Sequence, residues 1–103
     1  MIVRIWHGWT THENAAAYQR LLEEEIFVGI KDRKINGFRG IQLLRRGLPE
    51  EVEFVTIMTF DSLAAVRQFA GDDYEKAVVP AAARALLTRF EQRSAHYEAV
   101  TTA

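Results

Sequence analysis

The sequence predicts an α+β fold with strands and helices in the order βαββαβ. Three observations carry that prediction. Runs rich in β-branched and aromatic residues lie near both ends and in the middle, helical periodicity fills the gaps between them, and a turn sequence joins the two middle runs. At 103 residues, 49% hydrophobic and 26% charged, the chain matches one globular domain, 1–103, with no linker or repeat.

The first strand is read over Ile2 to Trp9. Thr10 and Glu13 have the spacing of a capping box, so a helix is expected to start there. Ala15, Tyr18, Leu22 and Ile26 recur at helical spacing, and the helix is expected to end between Glu25 and Ile30. Gly29 to Gly37 reads as a loop whose Asn36-Gly37 pair suits positive φ. Phe38 to Arg46 and Glu51 to Phe60 form the second and third strands, and the connection over Gly47 to Glu50 makes them an antiparallel hairpin.

Asp61 or Ser62 caps the second helix, which places Leu63, Val66 and Phe69 on one face and stops at Gly71. Helical structure is expected to restart at Asp72 to Tyr74, and again after Pro80 through Ala81, Arg84 and Leu87. Phe90 to Val100 is the fourth strand, followed by a loose tail over Thr101 to Ala103. This order is ferredoxin-like: right-handed crossovers put both helices on one face of a four-stranded antiparallel sheet.

The other face then stands bare. Val52, Phe54, Met58 and Phe60 alternate with Val55 and Ile57, and Ile2 and Trp6 alternate with Val3, Ile5 and Trp9, so both faces are apolar. At about 25 cal/mol per Å², exposing such a face forgoes several kcal/mol, and the simplest cover is a second copy of the sheet in a homodimer.

A formal charge of -1 argues against nucleic acid as a partner. The basic residues of Lys31 to Arg46 lack the stacking rings or groove-reading element that such binding needs, and read as a solvated surface. No run suits a signal peptide or membrane span, and the absence of Cys excludes disulfides and fits a reducing cytoplasm. Walker loops, dinucleotide fingerprints, zincin spacing and the serine elbow are all missing, so no cofactor or metal is expected.

Ile5 to Thr10 (IWHGWT), Phe60 to Leu63 (FDSL), Phe69 to Val78 (FAGDDYEKAV) and His96 to Glu98 (HYE) resemble the antibiotic biosynthesis monooxygenase-like group of the dimeric α+β barrel superfamily, over nearly the whole chain. The resemblance implies a dimer of sheets and a ligand cavity between sheet and helices. It also implies cofactor-independent oxygenation of an aromatic small molecule. The strand asparagine of several oxygenase and haem-degrading branches has no counterpart, since Asn14 and Asn36 fall in a helix start and a turn. Two alternatives follow: a non-catalytic dimeric small-molecule-binding module, and a haem-binding or haem-degrading protein.

Histidine titrates near working pH, which makes His96 and His7 candidate catalytic residues, while His12 reads as a surface residue. Pairing of the fourth strand with the first is expected to set His96 near Arg4 and His7 near Arg93, not the histidines together. Arg4 is a candidate for holding an oxyanion. The candidate substrate-binding residues are Trp6, Trp9, Tyr18, Phe54, Phe69, Tyr74 and Tyr97, an aromatic wall for a planar ligand, and Arg93, which like Arg4 could hold an anionic oxygen.

Overall fold

The computed structural model describes residues 1–103. Strand β1 spans Ile2–Thr10, followed by helix α1 (His12–Leu21), a π-helical turn (Leu22–Ile26) and helix α2 (Phe27–Asp32). Strands β2 (Phe38–Gly47) and β3 (Val52–Phe60) precede helix α3 (Leu63–Ala70), the short helix α4 (Ala81–Arg84), and strands β4 (Leu87–Phe90) and β5 (Ala95–Glu98).

The sheet is antiparallel, in the order β2-β3-β1-β4, with β5 also on β1. The predicted fourth strand is thus two strands on one edge: β4 pairs with Gly8 to Thr10 and β5 with Ile2 to Ile5. Between them Glu91 N–H still donates to the His7 carbonyl at 3.0 Å, and the backbone then leaves β1 and bonds instead to the irregular segment after α3. Ala77 N–H donates to the Gln92 carbonyl at 2.9 Å, and Ser94 N–H to the Glu75 carbonyl at 2.6 Å. The Glu91 carboxylate meanwhile fills the gap in the ladder by accepting from His7 N–H at 2.8 Å. Leu87, expected in a helix, is a strand residue because it continues the pairing at Thr10.

Other boundaries also moved. Thr11, not Thr10, caps α1, its hydroxyl accepting from Asn14 N–H at 3.1 Å. Thr10 is buried and still belongs to β1. The first helical run continues to Asp32 through the π turn, which satisfies the backbone without a break. Residues 72 to 74 do not restart a helix, and their segment is held by hydrogen bonds to Gln92, Ser94 and Arg4. Ser62 caps α3 as expected, and Gly71, at φ 89°, ends it. Gly37, at φ 90°, lies where a Cβ would come within 2.9 Å of Ala65 Cβ, so α3 packs directly on this turn through Ala65.

Alternation along the strands sorts side chains between the faces. Val52, Phe54, Met58 and Phe60 are buried beneath the helices, as are Arg4 and Thr10 of β1. The core falls into two clusters: Ala15, Tyr18 and Leu22 with Val52 and Phe54, and Val66 and Phe69 with Met58 and Phe60. Thr56 sits between them on the same face of β3, opposite Trp6. No helix covers the other face, where Val3, Ile5, Trp9, Val55 and Ile57 are half-buried and Leu44 and Tyr97 exposed. No helix is long and apolar enough to cross a membrane.

Candidate functional site

A pocket of about 60 Å³ occupies the gap between the two core clusters, enclosed by sheet and helices and partly open to solvent. Its floor is Thr56, Met58 and Ile41, the position where β3 offers a small polar side chain between Phe54 and Met58. The wider π turn brings Leu22 and Ile26, with Phe27 and Ile30 of α2, onto one wall. Val78, Val79 and Pro80 close another side without regular secondary structure.

Arg4 is the only charged residue in the lining. It is 3% exposed and takes part in no salt bridge; its Nη1 donates to the Tyr74 carbonyl, Nη2 donates to the Lys76 carbonyl at 3.2 Å, and Nη1 lies 3.0 Å from His96 Nε2. The guanidinium also sits 5.4 Å from the Phe69 ring centroid. Burial pushes its pKa down to about 10, so it remains cationic at neutral pH. A buried cation costs free energy unless an anion accompanies it, and here no carboxylate does.

His96 is held below the ordinary histidine pKa, first by burial and then by the Arg4 charge, with Glu75 opposing. It is therefore neutral at pH 7. Because Arg4 can only donate, Nε2 must accept and the proton resides on Nδ1, which is buried without a partner. The Tyr74 ring packs edge-on against the imidazole at 5.1 Å. Tyr18, 1% exposed and 4.8 Å from the Phe54 ring, lines the pocket from the helix side. Burial raises its phenol well above the ordinary tyrosine pKa, which keeps the hydroxyl protonated as a donor.

The structure divides the residues named from sequence. Arg4, Trp6, Tyr18 and Phe69 line the pocket, with His96, Tyr74 and Phe54 packed behind them. Strand alternation sends His7, Trp9 and Tyr97 to the opposite, uncovered face. There His7 Nδ1 lies 2.7 Å from Glu91 Oε1 and its ring stacks on Trp9 at 6.2 Å. His7 does not meet Arg93, because the break in the fourth strand turns Arg93 toward Asp73 and Glu75, each at 3.1 Å. His96 opposite Arg4 matches the expected register. Sequence reading missed Thr56 and Ser94 in the lining; the interruption of an apolar alternation by Thr56 was the available signal for the first.

No group of three or more His, Asp or Glu side chains is placed to hold a metal ion. No family model matches the chain, and no curated protein matches it by sequence. Its structure is similar to the crystal structure of a Bacillus cereus protein provisionally assigned as an antibiotic biosynthesis monooxygenase. The TM-score is 0.64 at 12% identity, covering 99% of this chain and 93% of that one. On that likeness, this chain has an antibiotic biosynthesis monooxygenase-like fold.

Proposed function

We propose that the pocket binds an electron-rich aromatic small molecule as its anion against Arg4, and that the chain oxygenates that anion with molecular oxygen, without flavin or metal. The observation that carries this reading is a buried guanidinium, without a carboxylate partner, lining an otherwise apolar pocket. A fixed cation in a low-dielectric site favours the ionised form of a bound acid and raises the electron density available to oxygen. For an anthrone-type compound, the ring CH2 becomes a carbonyl, with one oxygen atom of O2 in the product and the other in water.

His96 serves this site through Arg4, whose Nη1 it holds, and the protonated Tyr18 hydroxyl supplies a neutral donor. Small-molecule pockets are commonly about 300 Å³ or larger, so a whole ring uses the open side of this one, beside Val78 to Pro80. The uncovered face of Val3, Ile5, Trp9, Val55 and Ile57 supports a homodimer, formed when a second copy covers it.

One observation favours a second reading, non-catalytic ligand binding: no imidazole lines the pocket, so a bound compound must ionise without a histidine beside it. Oxygen-electrode measurements with anthrone, in metal-free and flavin-free buffer, separate the two. Oxygenation predicts uptake matched by anthraquinone formation and at least tenfold slower turnover in Arg4→Met. Uptake no faster than in buffer rejects oxygenation of this compound class.

A further inference from the structure

The donors left free on Arg4 indicate which kind of anion the pocket receives. A guanidinium has five N–H donors in one plane. Nη1 spends both of its own on the Tyr74 carbonyl and His96 Nε2, and Nη2 spends one on the Lys76 carbonyl. Nε–H and the second Nη2–H have no partner in the chain. In any guanidinium, Nε–H and one Nη2–H lie side by side on one edge of the fork, the edge that takes two coplanar oxygens in parallel hydrogen bonds.

Arg4 lines the pocket. Among buried side-chain nitrogen and oxygen atoms, His96 Nδ1 alone is both enclosed and without a partner. The unbonded Arg4 Nε is thus not sealed in, although the residue as a whole is 3% exposed and lines the pocket. The surroundings hold the fork in this orientation: two backbone carbonyls and His96 fix the opposite edge, and the Phe69 ring lies against the guanidinium. A pocket of about 60 Å³ is small for a ring and large enough for a carboxylate group.

We propose that the ligand is a carboxylic acid, its carboxylate bound side-on by Arg4 Nε–H and Nη2–H with the rest of the molecule toward the open side of the pocket. The proposal rests on the anion-binding reading above and departs from it in one respect: the anion on Arg4 is a carboxylate that seats the ligand, not the ring oxyanion that meets oxygen. A single phenolate oxygen accepts from both parallel donors only at bent angles, whereas the two oxygens of a carboxylate meet both in line. Lysine at this position keeps the charge and loses the fork.

The test compares benzoate with pentafluorophenolate, an anion with one oxygen at neutral pH, by quenching of tryptophan fluorescence, since Trp6 lines the pocket. Wild-type protein is expected to bind benzoate at least tenfold more tightly. Arg4→Lys is expected to lose that preference while changing pentafluorophenolate affinity less than about threefold. In wild-type protein, which needs no variant to fold, benzoate is expected to shift the Arg4 Nε–H resonance further downfield than pentafluorophenolate does. Equal affinities, or a phenolate preference, overturn the carboxylate assignment. Anthrone turnover without benzoate preference sinks this inference and leaves the oxygenase reading standing. Benzoate preference without turnover does the reverse, and failure of both anions to perturb Arg4 removes both.

Discussion

Arg4→Met asks whether the buried cation serves stability or binding. Carrying a charge at this depth costs about 3 kcal/mol, the free energy implied by a pKa brought down to about 10. Against that stand three hydrogen bonds, to the Tyr74 and Lys76 carbonyls and to His96. Each contributes about 1 kcal/mol, and the variant leaves all three acceptors bare. The two effects are of equal size and opposite sign, so Arg4→Met is expected to change unfolding free energy by no more than about 1 kcal/mol.

Affinity has no such offset. Losing two charge-assisted hydrogen bonds at about 1.5 kcal/mol each weakens anion binding roughly 100-fold. Urea unfolding at fixed protomer concentration measures the first quantity, where the midpoint is expected to move by less than about 1 M. Fluorescence titration with benzoate measures the second. Destabilisation beyond about 3 kcal/mol makes Arg4 a structural residue and refutes the reasoning, as does unchanged affinity.

Thr56→Leu fills the gap between the core clusters; at about 24 cal/mol per Å³ of the pocket it is expected to stabilise the fold by about 1 kcal/mol and to abolish ligand binding, read by thermal unfolding and titration. Ile57→Arg places a charge in the middle of the uncovered face and is expected to convert a dimer to single protomers in sedimentation, with the far-UV spectrum unchanged. His96 has a folded pKa below 6.5, so the unfolded chain binds more protons between the two values. Stability is therefore retained above about pH 6.5 and falls as pH drops toward the folded pKa; His96→Gln, which keeps an acceptor for Arg4, is expected to flatten this part of the pH–stability curve measured by urea unfolding.

Sequence alone determined the order of elements and the faces of the strands, because both follow from local periodicity. The apolar alternation of Val52 to Phe60 and the helical spacing of Ala15 to Ile26 need no knowledge of distant partners. The pairing of Arg4 with His96 was legible for a related reason: once the last strand lies antiparallel on the first, aligning their centres limits the register. Helix caps were legible only to within one residue, since Thr10 and Thr11 are equivalent hydroxyls and β1 claims the first.

The tertiary structure decided what required competition between segments far apart in the chain. Gln92 to Ser94 had a choice of partners, and the segment after α3 took backbone bonds that an unbroken strand would have given to β1; that choice separated Arg93 from His7. The pocket is likewise no property of any one element. It exists because a threonine on β3 falls where two helix-packed clusters fail to meet, and because burial leaves one guanidinium there without a carboxylate. Local pattern records which side chains face inward; only packing decides which of them lack a neighbour.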